Sequence, residues 1–239
     1  MMKKIIPISV AAFITMAFLL TSCKKDYITG GSPENVNIYK DSTTYDVLKR
    51  NPMYDTLVQV IDAAGLKDKI NAQGTTFFAP NDNSILQYLE ARTLFVQQHY
   101  DQNAKFALDS LKYYLQNNIN GTRDSLLMYQ VNASLTYSAL NNVGKIYPTS
   151  LIGDSVIVSF EQTTDGNLGY TDLVSQAPQI VYFTQLWDHY DISKSNPANK
   201  VPDNVGVRNL VKTSGIVTKN GILNLLDNSN KLFFYDTKQ

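Results

Sequence analysis

The sequence predicts an α+β domain that follows an N-terminal export signal and a short tether. Helical periodicity dominates from about residue 42 to residue 117, whereas β-prone runs dominate after residue 121. Helices that come first and strands that come later favour an α+β domain over a parallel sheet built from alternating strands and helices.

The first 23 residues read as a lipoprotein signal. Lys3 and Lys4 precede an uncharged run from Ile5 to Leu20, which is shorter than the roughly 20 residues of a membrane span. The run ends in the tetrad LTSC at 20–23, which resembles a lipobox. In such a signal the thiolate of the cysteine takes up a diacylglyceryl group.

Cys23 is the only cysteine of the chain, so it has no partner for an internal disulfide. Lipidation, as a palmitate-type anchor, explains its presence; the alternatives are a secreted protein with a free thiol and a transmembrane anchor. More than one acyl chain is needed for stable anchoring, and a mature lipoprotein terminus carries two or three. Residues 1–22 are therefore predicted to be a signal peptide.

The residues after Cys23 predict the location. Lys24 does not match the inner-membrane retention signal of enteric bacteria, which indicates the outer membrane. The stretch Lys24 to Asp26 weakly resembles an export tag to the cell surface, which is the expected location, with the periplasmic face as the alternative. Residues 23–40, including Gly30 to Pro33, read as a flexible tether.

Composition limits the classes of function. Apolar residues make up 44% of the chain, which is enough for a core, and 21 basic residues balance 21 acidic ones. The basic residues are scattered, which argues against a nucleic-acid partner. The 15 tyrosines, with many Asn, Thr and Ser, are typical of extracellular binding proteins.

Residues 41–239 are predicted to form the domain. Helices are expected from Ser42, with Asn51 as an N-cap, Pro52 at a first helical position and Gly65 as a stop. Further helices are expected at 85–90 and, as the longest, 94–117. Strands are expected at 75–78, 126–131, 134–140, 156–160, 180–187, 205–217, 221–226 and 231–235, with a turn at 164–167 and a loop at 193–204.

Two segments of the predicted domain carry a recognisable pattern. Thr75 to Asp82 reads TTFFAPND, and Thr218 to Asp227 reads TKNGILNLLD. Both resemble the signature blocks of the fasciclin (FAS1) domain family. The helical segment Tyr54 to Ile70 resembles the opening that precedes the first block. The resemblance spans about Tyr45 to Asp236 and implies a FAS1-like β-sandwich with helices packed against it.

Elementary chemistry gives these blocks a structural meaning. Pro80 ends a strand, and Asn81 and Asp82 can cap the following helix. Asn220 and Gly221 lie between apolar runs and tolerate positive φ, which indicates a tight turn. The strand after them has two apolar faces, as expected of a buried strand.

The chain departs from the family pattern at two positions. The histidine of the second block is Asn224, and the Tyr-His element is Tyr113-Tyr114. Integrin contacts near that element in animal members are therefore not expected here. An amide–phenol contact between Asn224 and Tyr114 is one way to replace hydrogen bonding by the family's histidine.

Catalytic and metal-binding patterns are absent from the sequence. The two histidines, His99 and His189, have no metal-ligand spacing, and no phosphate loop or nucleophile elbow occurs. No enzyme activity, no cofactor and no metal site are expected. A hydrolase with dispersed acidic residues is the least favoured alternative.

The segment near 177–204 is predicted to be an insertion, and its aromatic part is the candidate ligand site. Flat aromatic faces and polar groups are typical of sugar or protein recognition. The alternative is that these aromatics pack the segment onto the core. The candidate residues are Tyr182, Trp187, Asp188, His189 and Tyr190.

The expected function is adhesion or ligand binding at the cell surface. One form of this function is that of an accessory glycan-binding component of a polysaccharide-uptake system. The alternative is an envelope structural protein that binds only protein partners. The membrane, through the lipid anchor, and a polysaccharide or envelope proteins are thus the expected partners.

Overall fold

The computed structural model describes residues 38–168, 170–171, 177–192 and 204–237. The predicted signal peptide, Cys23 and the tether up to residue 37 lie outside the described residues, as does the predicted loop except for Asn204. No helix within the described ranges is both long and apolar enough to cross a membrane.

Four short helical segments open the described chain. Thr43 caps the first by accepting a hydrogen bond from the Asp46 N–H, and Asn51 caps the second by accepting one from the Met53 N–H. Gly65, at φ 64°, ends the third in the left-handed region that glycine favours. The predicted roles of Asn51, Pro52 and Gly65 are confirmed. The segments are α1 (Thr44–Lys49), a 3₁₀ turn (Pro52–Tyr54), α2 (Asp55–Ala64) and α3 (Lys67–Ile70).

The helices that follow are divided differently from the prediction. The chain forms α4 (Asp82–His99), α5 (Leu108–Gln116) and the short α6 (Thr122–Ser125). The prediction of one continuous helix over 94–117 was wrong. The Asp101 side chain accepts a hydrogen bond from the Asn103 N–H, and this bond favours a turn. Thr93 then accepts a hydrogen bond from the Phe106 N–H at 3.1 Å, which folds the chain back onto α4.

The strands form one seven-stranded sheet in the order β2-β1-β7-β6-β5-β4-β3. All neighbours are antiparallel except β1 and β7, which pair in parallel. The strands are β1 (Thr75–Ala79), β2 (Gln130–Val131), β3 (Lys145–Pro148), β4 (Ser155–Gln162), β5 (Gln179–Leu186), β6 (Gly206–Val217) and β7 (Gly221–Leu226). The predicted insertion near 177–204 therefore includes β5, a strand in the interior of the sheet.

Three strand predictions were wrong, and β3 was missed. The segment Leu126–Tyr129 is a 3₁₀ turn that continues only into the two-residue β2. Leu126, Leu127 and Tyr129 are buried, which breaks the alternation of a strand with one exposed face. The predicted strand at 134–140 contains a 3₁₀ turn at Tyr137–Ala139, and the one at 231–235 contains a turn at Leu232–Phe234. β3 ends in a proline, which an edge strand tolerates.

The two edge strands of the sheet meet each other. Val131, at the end of β2, bridges to Thr149, next to β3, and the Ser150 N–H donates to the Gln130 carbonyl at 2.7 Å. The sheet is therefore nearly closed, and the two layers of the predicted sandwich are opposite walls of one sheet. The α+β class with helices packed against the sheet is confirmed.

β6 belongs to both walls. Its first part pairs with β5 and its second part with β7, and register irregularities separate Val211, Thr213 and Ile216. Gly215, at φ 74°, lies within this irregular stretch. These bulges bend the strand, so that one long strand turns the corner between the walls.

Aromatic rings fill the interior of the sheet. Phe78 on β1 and Phe183 on β5 lie 4.6 Å apart between ring centroids, and both are fully buried. Tyr129 and Phe234 complete the group, each about 6 Å from Phe183. The group joins strands of both walls to the C-terminal turn.

Gly221 allows β1 and β7 to approach closely. A Cβ atom at this position would lie 2.0 Å from the Thr75 carbonyl oxygen. Neither Asn220 nor Gly221 has positive φ, so the reason predicted for this pair was wrong. The absence of a side chain at Gly221, rather than its conformational freedom, is what the fold uses.

Replacement of Gly221 by alanine is expected to lower the free energy of unfolding by about 2–3 kcal/mol, because the new methyl group forces β1 and β7 apart. Urea unfolding of the purified protein measures the change. Gly166→Ala is the control, because a Cβ at Gly166 meets no atom within 4 Å, and it is expected to be close to neutral. Equal effects of the two substitutions would contradict the close-approach explanation.

Candidate functional site

The polar residues of the first block connect helices. Asn81 caps α4 through the Ser84 N–H at 3.0 Å, and its amide nitrogen donates to the Asn228 side chain. The Asp82 carboxylate accepts hydrogen bonds from the Thr56 and Leu57 N–H groups at 3.0–3.1 Å. Asp82 therefore caps α2 rather than its own helix, and both side chains serve the fold.

Asn220 in the second block has a similar role at the opposite end of β7. It is buried, and its side-chain oxygen accepts the Thr44 N–H at 2.8 Å. Its amide nitrogen donates to the Thr44 hydroxyl at 3.1 Å. Because these bonds satisfy the first turn of α1, Asn220 attaches the N-terminal helix to the β6–β7 connection.

Asn224, which stands where the family has histidine, makes a local contact. Its side-chain oxygen accepts a hydrogen bond from the Gly215 N–H at 2.8 Å, across the irregular stretch of β6. Tyr114 instead lies edge-on to Phe106, with ring centroids 5.3 Å apart. The structure thus gives Asn224 a backbone partner in place of the suggested amide–phenol contact.

The five candidate ligand residues do not form one aromatic surface. Tyr182 and Trp187 lie on opposite sides of the sheet, because side chains alternate along β5 and the residue after it. Trp187 is half-buried and packs edge-on against Phe234 at 6.2 Å. Asp188 and His189 are exposed, and Tyr190 is half-buried against a small apolar cluster around Ile157 and Leu186.

The ring of Tyr182 is covered by a cation. The Arg208 guanidinium carbon lies 3.3 Å from the Tyr182 ring centroid, and one of its nitrogens lies 2.8 Å from a Glu161 carboxylate oxygen. Burial raises the pKa of Tyr182. Tyr182 is therefore part of a three-residue stack across β4, β5 and β6, with one face occupied by arginine.

A buried polar cluster near the end of β5 was missed by sequence reasoning. Gln185 is 2% exposed, and its amide nitrogen donates to Asp154 at 2.8 Å. The Thr149 hydroxyl donates to the other Asp154 oxygen at 2.7 Å. Burial raises the pKa of Asp154 despite these two donors. The chain separation of Asp154 and Gln185 leaves no local motif by which to find the pair.

An apolar groove runs between α4 and the chain that leads into α5. It has a volume of about 600 Å³. Leu86, Leu89 and Leu94 contribute from α4, and Phe106 and Leu108 contribute from the other side. The volume lies in the range of binding clefts, of roughly 300–1,000 Å³. This groove is the second candidate binding surface.

Within the described ranges, no group of three or more His, Cys, Asp and Glu side chains is arranged to hold a metal ion. His99 stacks on Phe95 at 4.3 Å between ring centroids on exposed α4, and its Nδ1 lies 2.8 Å from the Phe95 carbonyl oxygen. Cys23 lies outside the described residues.

The comparisons with known proteins decide the family. The fasciclin domain model matches residues 52–177, which is more than half of the 239-residue chain. The chain belongs to the fasciclin domain family. The resemblance predicted from the two blocks is thereby confirmed, although the second block lies beyond the matched residues.

A solved relative of the fasciclin domain is the FAS1 domain pair of the insect cell adhesion molecule Fasciclin I. It shares 14% sequence identity and a TM-score of 0.41, over 74% of this chain and 45% of that chain. The present chain thus spans less than half of the relative's length. No curated protein matches the chain significantly. Fasciclin domains serve adhesion and the binding of proteins or other ligands in general, which makes a binding function the general expectation.

Asp154→Asn is expected to gain stability relative to the wild-type fasciclin domain as the pH rises from about 3 to 7. Because burial raises the pKa of Asp154, ionisation costs more in the folded protein than in the unfolded chain. This cost appears above the ordinary carboxyl pKa and is complete above the raised one, and asparagine does not incur it. Urea unfolding across this pH range measures the difference.

Asp124→Asn is the control with the opposite sign. A hydrogen bond from Asn118, and then one from Arg123, lower the pKa of Asp124, so its carboxylate is favoured in the folded protein. This variant is expected to lose stability relative to the wild type as the pH rises to about 4–5, and to change little above that, because the folded carboxylate ionises below the ordinary carboxyl pKa. Parallel pH profiles for Asp154→Asn and the wild type would contradict the assignment of a destabilised carboxylate.

Proposed function

We propose that the chain is a lipid-anchored protein of the bacterial outer membrane whose fasciclin domain binds a ligand or an adhesion partner at the cell surface. The observation that carries the proposal is the combination of fasciclin-family membership with the lipobox LTSC at 20–23, whose cysteine is the only one in the chain. A lipid on Cys23 would hold the domain at the membrane, and residues 24–40 would give it reach.

The protein is proposed to be non-enzymatic because the fold itself uses the polar residues of both blocks. Asn81 and Asp82 satisfy the first turns of α4 and α2, and Asn220 satisfies that of α1. Asn224 stabilises the bulged part of β6. These hydrogen bonds explain the signature residues as structural, and binding would then use surfaces outside the blocks.

For glycan binding, the proposed contact surface is the segment Trp187 to Tyr190. Asp188 and His189 are exposed. The half-buried Trp187 packs edge-on against Phe234, and its backbone N–H donates to the Val205 carbonyl at 2.7 Å, which fixes the start of the segment. A fixed indole beside polar side chains is a means of stacking on a sugar ring. Tyr182 is not part of this surface, since it lies on the other side of the sheet under Arg208.

The rival function is an envelope structural protein that contacts only other proteins. The apolar groove beside α4 favours it, because the groove offers leucine and phenylalanine side chains and is distant in sequence from Trp187. Glycan binding and protein binding would thus use different parts of the chain, which makes the two functions separable by mutation.

Cys23→Ser is expected to release the protein from the membrane fraction, because the lipid has no other attachment point in this sequence. The measurement is fractionation of cells, with acyl-chain labelling of the wild-type protein as the positive reference. Ser22→Ala is the matched control, because alanine is also small and leaves the cysteine in place. Unchanged membrane association of Cys23→Ser would refute lipid anchoring.

Trp187→Ala is expected to abolish binding to a glycan array if the domain recognises sugars through this segment. His189→Ala serves as the milder test, since His189 is exposed and its truncation leaves the core untouched. Tyr100→Ala is the control, because Tyr100 is a 79% exposed aromatic on another element. Thermal unfolding verifies that each variant is folded.

Equal glycan binding by the wild type and a folded Trp187→Ala variant would refute sugar stacking on Trp187. No binding of any glycan by the wild type would favour the structural protein instead. Turnover of a bound glycan would contradict the proposal that the protein is not an enzyme.

A further inference from the structure

The groove beside α4 combines an apolar floor with a protruding edge. Leu86 and Leu94 are 52% and 58% exposed, although both line the groove. They lie two turns apart on α4 and project beside the cleft rather than into the protein core. Exposed leucines that border an apolar cleft are typical of a surface that another element covers.

Two opposite charges accompany the groove. Glu90 lies on α4 between Leu86 and Leu94, and Lys105 lies on the segment that forms the other side. Both side chains belong to exposed residues. Among the described residues, neither side chain takes part in a hydrogen bond or an ion pair. The groove therefore has one wall with an unpaired anion and one wall with an unpaired cation.

We infer that a second copy of this chain occupies the groove in a two-fold symmetric dimer. In such a dimer both copies use the same patch, so the patch must be complementary to itself. A two-fold axis through the groove sets the α4 wall of one copy against the Lys105 wall of the other. Glu90 then pairs with Lys105 of the second copy, and the symmetry repeats the pair.

The apolar parts fit the same arrangement. The ridge formed by Leu86 and Leu94 enters the cleft of the second copy, while its own cleft receives the equivalent ridge. Without the predicted signal peptide, which holds Lys3 and Lys4, the chain has 21 − 2 = 19 basic and 21 acidic residues, so its small net charge hardly opposes the approach of two copies. A small apolar ligand would fill the cleft but leave Glu90 and Lys105 unpaired.

The test exchanges the charges between copies. In Glu90→Lys both walls are positive, and in Lys105→Glu both are negative, so each variant alone is expected to dimerise at least about tenfold more weakly than the wild type. An equimolar mixture of the two variants is expected to form heterodimers, because every pair across the interface is again attractive. Sedimentation velocity on the full chain in a mild detergent measures the association.

Asp68→Lys and Lys212→Glu are the controls, because they reverse exposed charges away from the groove, on α3 and β6. Both are expected to dimerise like the wild type. The N-terminal anchor region is identical in every variant, so association through it cannot produce a pattern of weak single variants and a strong mixture. The inference thus does not depend on lipid anchoring or on glycan binding.

A wild-type chain that stays monomeric at about 100 µM, roughly a hundredfold above a micromolar dissociation constant, would overturn the inference. So would single variants that dimerise like the wild type, or a mixture that remains monomeric. A monomer that carries an apolar small molecule in the groove would assign the surface to a ligand instead.

Discussion

The parallel pairing of β1 with β7 is the constraint on which the rest of the structure depends. Five consecutive residue pairs, from Thr75 with Gly221 to Ala79 with Leu225, place the two signature blocks side by side. At Gly221 the blocks lie so close together that a Cβ atom would meet the Thr75 carbonyl oxygen at 2.0 Å. Asn220 precedes β7 and binds the first turn of α1, and Asn81 follows β1 and caps α4. The pairing of the two strands therefore also positions these two helices.

This arrangement explains why the signature residues are poor candidates for chemistry. A buried amide that satisfies helix N–H groups is not available to a ligand, and its loss would leave those groups unpaired. Asn81 and Asn220 are buried amides of this kind, and the half-buried Asp82 carboxylate likewise satisfies N–H groups of α2. Recognition is therefore expected on elements that the blocks position but do not include, which are the segment after β5 and the face of α4.

The sequence was sufficient to predict those features that depend only on residues close together in the chain. Asn51 and Gly65 cap their helices as predicted, and β7 has the predicted limits, because caps and buried strands depend on nearby residues. The predicted helix across Tyr100 failed because side-chain hydrogen bonds of Asp101 and Thr93 favoured a turn. Periodicity carries no information about such bonds.

The candidate sites depended on contacts that are distant in sequence. Arg208 on β6 covers Tyr182 on the neighbouring β5, and Asp154, which directly precedes β4, meets Gln185 on β5. These partners follow from strand register, which the sequence did not specify. The aromatic composition of the segment 182–190 was visible in the sequence, but its division between two sides of the sheet required the position of β5.

The C-terminal turn links the candidate ligand segment to the core. Phe233 and Phe234 have φ of 60° and 49°, which is unusual for side chains of this size and costs on the order of 1–3 kcal/mol each. The buried Tyr129 hydroxyl accepts the Phe233 N–H at 2.8 Å, and this bond helps to hold the turn. Phe234 thereby reaches Phe183 on one side and Trp187 on the other.

A strained turn persists only where its surroundings fix it, and here the aromatic interior does so. The consequence extends to Trp187, whose indole rests on a residue that is itself held by Tyr129 and Phe183. A ligand that contacts Trp187 would therefore meet a preorganised surface and would bear little of the entropic cost of ordering it. The packing of Trp187 on the fixed Phe234 is thus a physical reason to expect recognition beside Trp187 rather than at the signature blocks.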